Sequence, residues 1–133
     1  MLLNLTDLSS EPLQQQIVRQ IRAKILTSDL PADSGLPSIR ALARDQRISV
    51  ITVKRAYEYL ENEGLIHSRR GKGFFVSGIL EKRKKTMANQ KLEGSLKPII
   101  KSAIAEGLTE TEIKNTVNII IKNSGNNTKD TGV

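Results

Sequence analysis

Apolar residues recur at helical spacing along most of the chain, and one short stretch breaks that rhythm. Ile17, Val18, Ile21 and Ile25 form a single stripe that predicts an amphipathic helix over residues 12–28. Pro12 suits an early helical position, where a missing N–H costs nothing. Residues 29–35 are dense in Asp, Pro, Ser and Gly and read as a turn. A shorter helix follows Leu36-Pro37, with Ser38 as its cap and Ile39, Leu42 and Ala43 on one face, ending near Asp45-Gln46. Ser49 caps a third helix over about 50–63, and Gly64 stands where a glycine ends a helix. Val53, Ala56, Tyr57 and Leu60, at i, i+3, i+4 and i+7, are its buried stripe, while Ile51, Lys54, Arg55 and Glu58 fall on the opposite side.

The rhythm then changes. Residues 65–69 and 74–77 read as two short strands joined by Arg70-Gly71-Lys72-Gly73, whose glycines permit a tight turn. Two strands alone are marginal, so the hairpin must pack on the helices. Phe74 and Phe75 point to opposite sides, which predicts one ring in the core and one partly exposed. Helical spacing returns after Ile79. Leu92, Leu96, Ile99, Ile100, Ala103 and Ile104 form a stripe through a helix that Gly94 and Pro98 are expected to interrupt or kink. Gly107 ends it. Thr109-Glu110-Thr111-Glu112 is a capping-box pattern, and Ile113, Val117, Ile120 and Ile121 line the helix it opens. Residues 124–133 are expected to be a disordered tail.

Composition narrows the chemistry. The 133 residues include no cysteine and one histidine, His67. Disulfides, thiolate zinc sites and cysteine nucleophiles are therefore excluded, and no metal or cofactor is expected. No paired carboxylates or nucleophile–base set suggests an enzyme, and Gly71-Lys72-Gly73 lacks the flanking pattern of a phosphate-binding loop. No signal peptide or run of about 18 apolar residues is visible, so a cytoplasmic protein without membrane contact is expected.

Charge points to a partner. The formal net charge is +7, but it is unevenly placed. Residues 38–55 hold Arg40, Arg44, Arg47, Lys54 and Arg55 against Asp45. Residues 66–85 hold Arg69, Arg70, Lys72, Lys82, Arg83, Lys84 and Lys85 against Glu81. The remainder is net acidic. Three helices followed by a basic-tipped hairpin is the order of a winged helix-turn-helix, whose third helix reads the major groove of double-stranded DNA. With two Tyr, two Phe and no Trp, a base-stacking surface for single strands is not expected, and Tyr57 is read as core.

Five blocks carry a family resemblance over about residues 10–77. They are Pro12-Leu13 with Gln16-Ile17, residues 36–43 (Leu-Pro-Ser-Ile-Arg-Ala-Leu-Ala), residues 52–57 (Thr-Val-Lys-Arg-Ala-Tyr), Leu60-Glu61 with residues 63–66, and residues 70–76 (Arg-Gly-Lys-Gly-Phe-Phe-Val). The chain resembles the GntR family of bacterial transcription regulators. The resemblance implies a mainly α fold with a small β-hairpin: a winged helix-turn-helix at 1–78 and a two-helix dimerisation segment at 79–123. It implies that Arg40, Ser49, Thr52, Lys54, Gly71 and Lys72 occupy DNA-contacting positions. Arg55 and Arg70 join them by charge. Val50 and Ile51 depart from the family pattern, where polar residues are usual, and are assigned to thymine methyls instead.

The short tail is similar to the YtrA-type subfamily, whose two C-terminal helices mediate dimerisation. The expected dimerisation residues are Leu92, Leu96, Ile99, Ile100, Ala103, Ile104, Ile113, Val117, Ile120 and Ile121. The function expected is that of a homodimeric repressor on an inverted-repeat operator. An unknown small-molecule effector would have to act at the dimer interface or near residues 77–85. The alternative is a winged-helix protein–protein interaction module.

Overall fold

The computed structural model describes the backbone of residues 1–132 and the side chains of residues 1–125. Its elements are α1 (Leu13–Leu26), α2 (Ile39–Gln46), α3 (Val50–Asn62), β1 (Ile66–Arg69), β2 (Gly73–Val76), α4 (Glu81–Ala105) and α5 (Glu110–Gly132). The chain divides into two compact units, residues 1–86 and 87–133, and the division falls inside α4.

In the first unit α3 is the central element, packed by α1, α2 and β1. Val53, Ala56, Tyr57 and Leu60 are fully buried, as their spacing predicts. They meet Ile17, Ile21 and Ile25 of α1, with Leu36, Leu42, Ala43, Leu65, Ile66 and Val76 completing the core. Local chemistry starts the two shorter helices where the sequence places them. The Ser38 hydroxyl accepts from Ala41 N–H at 3.0 Å, and Ser49 accepts from Ile51 N–H at 3.1 Å. Pro12 precedes α1 as its cap residue rather than lying inside it.

Three features depart from the sequence reading. The α1 stripe takes Gln16 into the core, 2% exposed, while Val18 is only half-buried. Burial of this amide is permitted because every polar atom has a backbone partner. Its oxygen accepts from Thr6 N–H at 3.0 Å, and its nitrogen donates to the Thr6 and Glu11 carbonyls at 2.8 and 2.7 Å. One turn on, Gln20 repeats the arrangement with Asn4, both bonds being 2.8 Å. The two amides hold the N-terminal arm as a neighbouring strand would, and Leu3 is buried beneath it.

The hairpin is the second departure. β1 and β2 pair antiparallel, Ile66 opposite Val76 and Arg69 opposite Gly73, with Gly71 and Gly73 at φ 74° and 103°. The turn segment also joins it. Leu36 N–H donates to Phe74 O, and Val76 N–H donates to Ser34 O, both at 2.9 Å. Residues 33–36 therefore cover the outer edge of β2, which would otherwise present unpaired backbone groups. Neither phenylalanine is fully buried. The Phe74 ring meets Tyr57 edge-on at 5.1 Å, and Phe75 stacks against His67 at 6.2 Å beneath the Arg69 guanidinium. The expected division into a core ring and an exposed ring gives way to two half-buried rings, because the short hairpin has a small platform on each side.

The third departure is α4, which runs unbroken through Gly94 and Pro98. A proline ring inside a helix crowds the carbonyl four residues earlier. That carbonyl belongs to Gly94, whose backbone yields most readily.

In the second unit, α5 begins on the predicted capping box. Thr109 N–H donates to a Glu112 carboxylate oxygen at 3.0 Å, and Glu112 N–H donates to the Thr109 hydroxyl at 3.2 Å. The Thr109 N–H and the Thr109 hydroxyl, which donates to the same carboxylate at 2.9 Å, hold the Glu112 carboxyl below its ordinary pKa. α4 and α5 turn at Gly107, φ 97°, and among the described residues do not lay their lengths against each other. The backbone of residues 124–132, expected as a tail, continues α5, and Val133 lies outside the described residues.

Candidate nucleic-acid interface

Cations in the first unit fall into two groups. One group is used by the fold. Arg19 pairs with Glu11, Arg22 with Glu63 at 2.6 Å, Lys24 with Asp29, and Arg44 with its neighbour Asp45 at 3.2 Å. Arg69 lies 4.4 Å over the Phe75 ring and pairs with Asp33 at 3.1 Å. Lys84 is mostly buried, donating to Ser28 at 2.7 Å and Glu81 at 3.1 Å. It lies inside the basic run 82–85, so only its neighbours in that run reach solvent.

The other group has no internal hydrogen-bond or ion-pair partner; besides Lys82, Arg83 and Lys85 at the start of α4, it falls on α2, α3 and the hairpin. Arg40 on α2, Lys54 and Arg55 on α3, and Arg70 and Lys72 at the hairpin tip are exposed and form no hydrogen bond or ion pair. All five were singled out by sequence. A sixth, Arg47, lies in the three-residue turn between α2 and α3 and was not. Fully hydrated, unpaired cations on adjacent segments suit a polyanion, because neutralising phosphates releases counterions. Gly71 at the tip carries no side chain to obstruct a backbone approach.

The start of α3 offers both polar and apolar groups. The Ser49 oxygen is occupied by its cap bond, which leaves the hydroxyl proton free to donate. Thr52 is half-buried one turn on. Val50 and Ile51 are 48% and 59% exposed, large aliphatic groups held in water at a helix tip.

Tyr57 ties these segments together. From the buried side of α3 its hydroxyl donates to the Pro37 carbonyl at 2.8 Å, just before α2. Its ring takes the edge-on contact of Phe74 from the hairpin. Burial pushes the phenol well above its ordinary pKa, so it stays a neutral donor. One side chain thus links α3, the entrance to α2 and β2.

Comparison with known proteins places this arrangement. The profile of the bacterial regulatory proteins of the gntR family matches residues 13–76, from the start of α1 to the end of β2. An uncharacterized HTH-type transcriptional regulator, YhcF of Bacillus subtilis, is 31% identical over 108 residues, which span 79% of this chain and 86% of that protein. The chain belongs to the gntR family.

The transcriptional repressor YtrA of Bacillus subtilis is 36% identical over 84 residues, covering 63% of this chain and 62% of the repressor. A transcriptional regulator from Oenococcus oeni has the same architecture in its crystal structure, at 31% identity and TM-score 0.69, covering 88% of this chain and 97% of the other. The winged helix-turn-helix read from the sequence is the fold of this gntR-family chain.

Proposed function

We propose that this gntR-family chain is a dimeric, sequence-specific transcription regulator that represses by occupying a promoter operator. The carrying observation is the set of exposed, unpaired cations that α2, α3 and the hairpin tip present together, while Arg22, Arg69 and Lys84 are paired within the fold. α3 enters the major groove. Arg40, Lys54, Arg55, Arg70 and Lys72 take phosphates, with Ser49 and Thr52 adding hydroxyl contacts and Gly71 allowing close approach. Val50 and Ile51 meet thymine methyls, which gives their exposure a purpose.

The second unit supports dimerisation. Leu92, Ile99, Ile104, Ile120 and Ile121 are between 58% and 63% exposed, and Leu96, Ile100, Ala103, Ile113 and Val117 are half-buried at best. Two helices that leave such faces in water are covered most simply by a second copy. The assembled chain then reads an inverted repeat with half-sites about one helical turn, roughly 10 bp, apart. No described helix is long and apolar enough to cross a membrane. Action on DNA in the cytoplasm accords with this reading. An effector, if one operates, acts at the dimer interface or at residues 77–85, where Ser28, Glu81 and Lys84 secure the first turn of α4.

Selection of bound duplexes from a random DNA pool tests the reading, repeated with Lys54→Ala and Lys72→Ala. We expect a palindromic motif, with affinity lost and the motif kept in both variants. Failure of the unaltered chain to enrich any duplex would refute it.

A further inference from the structure

Among the described residues, three other than glycine adopt a left-handed backbone: Ser28 at φ 64°, Asp33 at φ 67° and Arg47 at φ 57°. A side chain with a Cβ is disfavoured there, and glycine or asparagine is the usual occupant. Two of the three have a reason within the fold. Ser28 bonds to Lys84 and Glu81, securing the first turn of α4. Asp33 pairs with Arg69 beside the hairpin. Arg47 has none. Its guanidinium is exposed and bonds to nothing, and the acid two residues away, Asp45, is already held by Arg44.

The backbone at Arg47 does serve the fold. Its N–H donates to Arg44 O at 3.2 Å, and the next N–H, of Ile48, donates to Ala43 O at 3.0 Å, closing α2. Glycine would make the same two bonds without the left-handed cost. A cation near the negative end of α2 gains some dipole energy, but Arg44 in the last turn already supplies one from helical backbone. Nothing internal therefore accounts for an arginine at this position. Its location suggests what does. It stands two residues before Ser49, where the free amides of α3 begin, on the turn between the helix that crosses the DNA backbone and the helix that enters the groove.

We propose that Arg47 is an additional DNA contact: a guanidinium projected from the left-handed turn onto a backbone phosphate beside the entering tip of α3. It adds affinity without reading bases. The inference rests on the DNA-binding reading above and extends it to a residue that the sequence counts in the basic stretch but assigns no contact.

The test measures duplex affinity across a salt series for the full chain and for Arg47→Gly, Arg47→Gln and Arg47→Lys, with thermal melting alongside. Arg47→Gly should bind roughly tenfold more weakly, with a salt slope shallower by about 0.9 for each copy bound, the same selected motif and a melting temperature no lower than that of the unaltered chain. Arg47→Gln should lose affinity to the same degree, and Arg47→Lys should keep most of the slope. If the unaltered chain binds and Arg47→Gly matches it in affinity and slope, this inference alone fails. If Arg47→Gly melts lower, the residue is a helix cap and the inference also fails. A changed motif would make Arg47 a base contact and overturn the phosphate assignment. If the unaltered chain binds no duplex, the inference falls together with the reading beneath it.

Discussion

The two units treat their apolar residues in opposite ways. In residues 1–86 the main apolar stripes of α1 and α3 are buried, with Ile17, Ile21, Val53, Tyr57 and Leu60 fully so. In residues 87–125 the same residue types at the same spacing stand in water: Ile99, Ile104, Ile119, Ile120 and Ile121 are all more than half exposed. Periodicity alone does not separate these cases, because it reports that a face is apolar and not what covers it. The difference teaches that the first unit covers its apolar faces within one chain, while the second leaves them in water, as the proposed dimer requires.

Substitution at matched positions breaks or sharpens this comparison. The largest effect should come from Leu60→Ala, which opens a cavity in the first unit and costs about 2–5 kcal/mol. Urea unfolding should show that loss at every protein concentration. Ile120→Ala removes a comparable side chain from the second unit. It should lower stability only as protein concentration rises through the assembly range, with sedimentation shifting towards a single copy. Equal, concentration-independent losses in both variants would erase the distinction.

Gln16→Leu comes next. It leaves the Thr6 N–H and the Thr6 and Glu11 carbonyls without their amide partner, at a cost of about 1–3 kcal/mol. Hydrogen exchange should accelerate at residues 3–6 and leave α5 unchanged. A smaller effect is expected for Tyr57→Phe, which loses one hydrogen bond, about 0.5–1.5 kcal/mol. Because that bond secures the entrance to α2, DNA affinity should fall with the motif unchanged.

The smallest effects follow from pH. Lys84 holds Glu81 below the ordinary value of 4.5, with Ser28 adding to the effect, and the Thr109 cap does the same for Glu112. Carboxylates with folded values below their unfolded ones stabilise at neutral pH. That contribution is lost as pH falls through and below about 4.5. Circular dichroism from pH 6 downwards should show a small loss that Glu112→Gln removes from the second unit and Glu81→Gln from the first.

What sequence reveals here is local chemistry. The Ser38 and Ser49 caps, the Thr109–Glu112 box and the stripe from Val53 to Leu60 depend on neighbours within a few residues, so spacing locates them. Unpaired cations at Arg40, Lys54, Arg55, Arg70 and Lys72 were legible because basic residues cluster along short segments. Other features depend on partners distant along the chain. Residues 33–36 carry turn-forming residues yet edge β2, since pairing with Phe74 and Val76 is a property of the folded hairpin. Gln16 is polar by type and becomes core only because the N-terminal arm lies across it. Arg47 looks like any basic residue until its backbone is seen to be left-handed.

The unpaired cations of α2, its following turn, α3 and the hairpin tip are proposed to meet phosphates. Titration of the full chain onto its selected duplex across a salt series tests this directly. With six cations engaged, the logarithm of affinity should fall against the logarithm of salt with a slope of about −5 for each bound copy. A slope near zero would contradict the claim.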